Sequence, residues 1–158
     1  MSRLDVPVLG RTLWHTGDIL LRADLDLLLQ DGAGKWPRER FLVDTGTEIT
    51  TVPAFAAKQL GLAMPRTAAP GAVHRQTGLE VRSGYLRFRV AGMDQTEYFV
   101  PCFFLGDPDT PPAPGQAATL PRRLLQPLGL LGQLRFTLDR DATANAPYGT
   151  LTVEKKTP

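Results

Sequence analysis

The chain has 158 residues and a single cysteine, Cys102, which excludes an internal disulfide bond. It also lacks a long hydrophobic run: the longest, Tyr98–Leu105, contains a proline and is far shorter than the roughly 20 residues that a membrane-spanning helix needs. Residues 1–7 have no continuous apolar segment of the kind that a signal peptide carries. From these absences we expect a protein without membrane partners in the reducing cytoplasm.

The net charge is also small, and side chains that bind metals are few. Lys and Arg number 18 and Asp and Glu number 16, so the formal net charge of +2 argues against a nucleic-acid-binding surface built on bulk positive charge. The two histidines, His15 and His74, form with Cys102 no spacing that is typical of a zinc site. We therefore expect no nucleic-acid partner, no metal and no cofactor.

What the sequence does have is an alternation of apolar and polar residues, interrupted often by 15 glycines and 14 prolines. Alternation with a period of two indicates β-strands that bury one face. The pattern predicts a strand over 22–29 paired with 41–43, a hairpin of 86–90 with 98–105, and a second hairpin of 134–138 with 151–153.

Helical signals are confined to short segments. Pro53 suits the first turn of a helix and Gly61 the position after its end, so a helix is predicted over 53–60, and a second over 121–126. The segment 106–115 is rich in proline and is expected to be a surface loop. With no internal repeat, residues 1–158 are predicted to form one mainly β domain, a small closed or nearly closed β-barrel with one or two short helices.

The most informative segment is 41–50, which reads Phe-Leu-Val-Asp-Thr-Gly-Thr-Glu-Ile-Thr. An apolar strand delivers Asp44 at its end, Gly46 permits a sharp turn, and the hydroxyls of Thr45 and Thr47 can hydrogen-bond a charged oxygen. An Asp-initiated turn after a strand would explain the same tripeptide without any activity, because such turns are common.

This segment resembles the active-site motif of the retropepsin-like aspartic proteases, in which apolar residues precede Asp-Thr-Gly and Ser, Thr or Ala follows it. In that family a second landmark, two apolar residues and a glycine, lies on a strand behind the catalytic loop. Leu130-Leu131-Gly132 matches this landmark, and residues 127–129 are an alternative register. A short helix after the motif and then a hairpin are similar too, so the resemblance covers roughly residues 20–153.

The resemblance implies a retropepsin-like fold and an aspartic endopeptidase that hydrolyses peptide bonds through a water activated by two Asp44 side chains. Such hydrolysis needs a general base and a general acid, and the chain has one Asp-Thr-Gly, so the second Asp44 must come from another copy in a homodimer. By the same resemblance, the Gly46 amide orients the carboxylate, Thr45 hydrogen-bonds across the two-fold axis, and the Thr47 hydroxyl donates to the carboxylate.

The resemblance also implies a flap hairpin over about 67–84 that closes over an extended peptide or protein substrate. Its expected tip consists of Val73, His74, Arg75, Gln76, Thr77 and Gly78.

Two other interpretations stay open. One is a catalytically inactive dimerisation or scaffold module of the same fold, and the other is a small β-barrel binding domain in which Asp-Thr-Gly is only a turn. Dimerisation separates the binding domain from the rest, and loss of activity on Asp44→Asn substitution separates the peptidase from the scaffold.

Overall fold

The structure, a computed structural model, describes residues 2–47, 49–68, 70–75, 77–111 and 124–157. Over these residues it is mainly β, as predicted, with one α-helix and one short 3-10 helix. The strands are β1 Arg3–Pro7, β2 Leu9–Thr12, β3 Ile19–Arg22, β4 Asp24–Leu29, β5 Arg38–Val43, β6 Thr50–Pro53, β7 Val81–Val90, β8 Tyr98–Leu105, β9 Leu124–Leu125, β10 Leu134–Asp139 and β11 Thr150–Lys155. The α-helix is α1 Ala54–Gln59, and the 3-10 helix is Leu128–Leu130.

Six strands pair in a ring, in the order β4, β5, β9, β6, β8 and β7, and β7 pairs back to β4. Two predicted pairings are confirmed, because β4 lies antiparallel to β5 and β7 lies antiparallel to β8. Among the described residues, β6 pairs with β9 through Thr51 and Leu124.

Alternate side chains of the ring strands fill its interior, as a period of two requires. In β4 every second residue is buried, while Asp26 points outward and binds Arg38 and Arg40 of the neighbouring strand. The helix α1 confirms the predicted helix at 53–60 and buries Ala54 and Ala57. The largest side chains of the core, all fully buried, include Phe41, Phe88, Phe104, Leu25, Leu27 and Leu29.

The two chain ends form a separate three-stranded sheet in the order β1, β11, β10. The β10–β11 hairpin confirms the prediction for 134–138 and 151–153. The sequence pattern did not predict β1, which adds to the other edge of β11, or the β2–β3 hairpin that follows it. Within the described residues, none of the helices is long and apolar enough to cross a membrane.

The predicted second helix at 121–126 is wrong where the structure describes it. Leu124 and Leu125 form the strand β9, and Gln126 lies outside any helix, while residues 121–123 are outside the described residues. An apolar pair that enters the ring between two strands gains sheet hydrogen bonds, which outweigh weak local helix propensity. Of the predicted loop at 106–115, residues 106–111 lie outside strands and helices, and residues 112–115 are outside the described part.

The β7–β8 turn is joined to the terminal sheet by a charged contact that predicts a pH dependence. Asp94 accepts hydrogen bonds from the Thr96 amide at 3.1 Å and from Lys155 Nζ at 3.1 Å. Hydrogen bonds from Thr96 and then from Lys155 lower the pKa of Asp94 to about 2. An unfolded aspartate has a pKa of about 3.9, so this stabilisation is complete above that value and is lost as the pH falls from about 4 to about 2.

We therefore expect Asp94→Asn to lower the free energy of unfolding at pH 6, and the gap from wild type to narrow as the pH falls to about 2.5. Urea denaturation of both proteins across this range measures the gap. A gap of constant size between pH 6 and pH 2.5 would show that the ionised Asp94 carboxylate is not the source of the stabilisation.

Candidate active site

Asp44 follows β5 directly, and backbone hydrogen bonds hold its position from two sides. The Val43 amide donates to the Ala23 carbonyl at 2.9 Å, and the Asp44 amide donates to the Leu125 carbonyl at 3.0 Å. The Asp44 side chain is half-buried, while Thr45 and Gly46 are exposed at the tip of the turn. The backbone at Asp44 is thus held in place by hydrogen bonds, and the turn that follows it lies at the surface.

The Gly46 amide orients the carboxylate, as predicted. It donates to Asp44 Oδ1 at 2.8 Å. A Cβ atom added at Gly46 would lie 3.2 Å from the same oxygen, so a larger residue would crowd the carboxylate that the amide holds. Gly46 therefore provides both a donor and the space for a close approach.

The prediction for the Thr47 hydroxyl is wrong. It donates to the Ile49 carbonyl at 2.9 Å, two residues along the chain, and a hydroxyl has only one proton to donate. Thr47 therefore closes the end of the Asp44 turn onto the segment that leads to β6. Its role here is to support the loop backbone.

The strand beside the Asp44 loop is β9, which lies parallel to the end of β5 and pairs Leu42 with Leu124 and Val43 with Leu125. The prediction that Leu130-Leu131-Gly132 forms this strand is wrong, and so is the alternative register at 127–129. Leu130 ends the 3-10 helix and is fully buried, whereas Leu131 is 41% exposed. Gly132 lies in the turn that leads to β10, and an added Cβ there would meet nothing.

Thr50 is a supporting residue that sequence reasoning did not identify. It is 2% exposed, and its Oγ1 accepts a hydrogen bond from the Gln126 amide at 3.1 Å. Gln126 Oε1 in turn accepts from the Gly129 amide at 2.8 Å. These contacts join the start of β6, where the Asp44 loop ends, to the residues that follow β9. The backbone on either side of this end of the loop is therefore connected.

Removing the Thr50 hydroxyl is expected to weaken this connection. Thr50→Val keeps the shape of the side chain but leaves the Gln126 amide without its acceptor, which costs about 1–3 kcal/mol of unfolding free energy for a buried donor. Thr50→Ser retains the hydroxyl and serves as the matched control. Equilibrium denaturation measures both variants, and a Thr50→Val protein as stable as wild type would show that the hydrogen bond does not stabilise this site.

The segment predicted as the flap tip forms a short hairpin. Val73 bridges to Glu80, the His74 amide donates to the Leu79 carbonyl at 2.9 Å, and the Gly78 amide donates to the His74 carbonyl at 2.8 Å. Gly78 has a φ of +69°, which a side chain would strain. The hairpin continues into β7.

The side chains of this hairpin tip are arranged for contact with solvent. Val73 is 54% exposed, Arg75 is exposed, and His74 Nδ1 lies 3.1 Å from Thr77 Oγ1. Gln76 is outside the described residues. In the ring, β8 lies between β7, which carries the hairpin, and β6, which follows the Asp44 loop.

Among the described residues, neither Cys102 nor a group of metal-binding side chains gives a second candidate site. Burial raises the pKa of the Cys102 thiol, so its nucleophilic thiolate is disfavoured at neutral pH. Within the described residues, no group of three or more His, Cys, Asp or Glu side chains could hold a metal ion. Asp44 is thus the candidate around which a function can be argued.

The comparisons with known proteins found no match. No family model matches the chain, and no curated protein or solved structure is significantly similar to it.

Proposed function

We propose that this chain is an aspartic endopeptidase with a retropepsin-like barrel, whose active site forms when two copies bring their Asp44 side chains together. The single observation that supports this most is the Asp44 turn. Its carboxylate is oriented by the Gly46 amide at 2.8 Å, on a backbone anchored to the neighbouring strand, with Thr45 and Gly46 exposed to a partner.

The proposed reaction uses the two carboxylates in different protonation states. Two adjacent negative charges repel, so the pair shares one proton. The ionised Asp44 takes a proton from water, whose oxygen forms a bond to the substrate carbonyl carbon, while the protonated Asp44 of the other copy donates to the carbonyl oxygen. The carbon–nitrogen bond then breaks as the amide nitrogen receives the proton that the first Asp44 took from water. The second Asp44 takes back a hydroxyl proton from the intermediate, which leaves a carboxylic acid and an amine and restores the shared proton. A single chain supplies only half of this pair.

The hairpin at 73–80 is the proposed cover for an extended substrate. Backbone groups at such a tip can bind a peptide as an added strand does, and a closed cover keeps bulk water from the carboxylates. The peptide would then lie between the hairpin and the Asp44 turns.

The second candidate is an inactive dimerisation or scaffold module of the same fold. The contact of Thr47 with Ile49 favours it, because this hydroxyl is not directed to the Asp44 carboxylate. The two functions differ in activity rather than in architecture.

Digestion of a diverse peptide mixture between about pH 3.5 and 7, read by mass spectrometry, tests the proposal because this range covers carboxylate titration. If the chain is a dimeric peptidase, the rate of cutting should rise more than linearly with protein concentration. A folded, dimeric protein that produces no cuts at any pH in this range would support the scaffold instead.

A further inference from the structure

Arg82 is a charged residue that lies inside the protein, where the hairpin at 73–80 passes into β7. Its side chain is 9% exposed. The core-facing residues of β7 recur at every second position, and Arg82 is in register with Leu86 and Phe88. It pairs across the sheet with Phe104, which is fully buried. An arginine in such a place needs a polar partner, because charged side chains are almost never buried unless they are paired.

The Arg82 guanidinium has one close polar contact. Its Nη1 donates to the Gly106 carbonyl at 2.9 Å. Glu80 Oε2 lies 3.9 Å from Nη1, which is too far for a hydrogen bond, and the Glu80 side chain is 64% exposed. Nε is buried and has no hydrogen-bond partner in the described part of the chain. The Gly106 carbonyl is therefore the one hydrogen-bond acceptor that the described residues give this buried charge.

Gly106 joins the end of β8 to the base of the hairpin through both of its backbone groups. Its amide donates to the Glu80 carbonyl at 2.9 Å, and its carbonyl accepts from Arg82. Gly106 has a φ of +87°, so the chain leaves the extended conformation of β8 there. A Cβ atom added at Gly106 would lie 3.8 Å from Leu79 Cδ1, so the hairpin also packs close to this residue. Arg82 thus completes the attachment of the hairpin to β8.

The loop that follows β8 gives this attachment a fixed support. Asp107 accepts hydrogen bonds from the Asp109 amide at 2.9 Å and from the Thr110 hydroxyl at 2.7 Å. These hydrogen bonds lower the pKa of Asp107, and the charge of Arg82 adds to the effect. Lys58 of α1 forms an ion pair with Asp109. The loop is therefore connected to the helix as well as to the strand.

We propose that Arg82 is a positioning residue, which fixes the hairpin at 73–80 relative to the ring and so sets where a substrate is held. The inference rests on the proposed function, in which this hairpin covers a peptide on the Asp44 turns. The His74 and Gly78 amides bond within the hairpin, so its orientation depends on the contacts at its base. Exchanging buried charged groups for apolar ones is often neutral for stability, whereas the rigid fork of a guanidinium specifies a geometry.

The test replaces Arg82 with methionine in the full chain and measures amide hydrogen exchange by NMR. Methionine keeps a long apolar side chain but removes the donor and the charge. The Gly106 amide reports on the base of the hairpin, because it donates to the Glu80 carbonyl. We expect it to exchange at least about 10-fold faster in Arg82→Met, since loss of a charge-assisted hydrogen bond favours local opening. Exchange in β4 and β5 should stay at the wild-type rate.

Peptide cutting gives the second measurement. A hairpin that is not held in place binds substrate less well, so KM for a cleaved peptide should rise at least about 10-fold in Arg82→Met, while kcat changes less than about threefold. Arg82→Lys keeps the charge but loses the fork, and both values should be intermediate. The lysine variant also tests the inference if the methionine variant does not fold.

Arg89→Met is the matched control. Arg89 is in the same strand, its side chain is 22% exposed, and its Nε is also buried without a partner among the described residues. Its guanidinium, however, lies 3.8 Å from the centroid of the Trp36 ring and binds Glu97. The control should leave both Gly106 exchange and KM at their wild-type values.

An Arg82→Met protein in which the Gly106 amide exchanges as slowly as in wild type overturns the inference. An equal increase in Arg89→Met does the same, because it would reflect a general loss of stability. Faster exchange with an unchanged KM would also overturn it, since the hairpin would then not position substrate. The proposed function is judged separately by cutting that depends on Asp44. A wild type that cuts nothing rejects the peptidase, and Gly106 exchange still decides whether Arg82 fixes the hairpin.

Discussion

Asp44→Asn is expected to reduce peptide hydrolysis by at least about 10³-fold, to the detection limit of a peptide digest. In the proposed mechanism the substitution removes the general base from one copy and the general acid from the other, and each role commonly contributes about 10²–10⁴-fold. The asparagine side chain keeps the size of aspartate and can still accept the Gly46 hydrogen bond. Loss of activity would therefore reflect the missing ionisable group and not a collapsed loop.

Asp141→Asn is the control, because this residue lies in an exposed loop between β10 and β11. It should retain wild-type cutting. Both variants should have wild-type sedimentation behaviour, which shows that the dimer survives. If Asp44→Asn cut the same peptides at a similar rate, the activity would come from another group or a contaminant, and the proposed site would be wrong.

Phe104→Ala is expected to cause a large loss of stability, about 3–5 kcal/mol of unfolding free energy. Phe104 is fully buried in β8, and its ring lies over Gly84 of the neighbouring strand, where an added Cβ would be 3.0 Å away. Pro65 approaches the same point within 3.3 Å. A truncated side chain would leave a cavity that these backbone-fixed neighbours cannot fill.

Phe99→Ala, in the same strand, is the matched control for this loss. Phe99 is 56% exposed and stacks on Tyr85 with ring centroids 4.9 Å apart. We expect it to cost under about 1.5 kcal/mol, the usual value of an aromatic pair. Urea denaturation measures both variants, and similar losses for the two would contradict the assignment of Phe104 to the core.

The ring strands could be predicted because a strand that buries one face alternates apolar and polar residues along the sequence. Leu25, Leu27 and Leu29 repeat every second residue, and the fully buried face of β4 follows that period. The strand β9 could not be predicted, since a period of two cannot be detected in a strand of two residues. Its place in the ring depends on contacts with β5 and β6 that are distant in sequence.

The site was predictable only where its contacts are local. The hydrogen bond of the Gly46 amide to Asp44 spans two residues and follows from the turn itself. Thr47 also acts locally, but the sequence does not decide between a carboxylate and a carbonyl as its acceptor. Thr50 depends on Gln126, 76 residues later, so no pattern near the motif could identify it.

The β2–β3 hairpin was not predicted because its residues show no single buried face. Every residue of its two strands is exposed, so the usual alternation between core and solvent does not apply to it.

The proposed shared active site is tested most directly by mixing wild type with Asp44→Asn, allowing the subunits to exchange, and measuring peptide cutting. The proposed site needs an Asp44 from both copies. A wild-type copy finds a wild-type partner about half the time at equal amounts and about a quarter of the time at threefold excess of the variant. Cutting per wild-type copy should fall in these proportions, whereas added Asp141→Asn should raise total cutting. Cutting that stays unchanged as Asp44→Asn is added would show that one chain is active alone and would contradict the shared site.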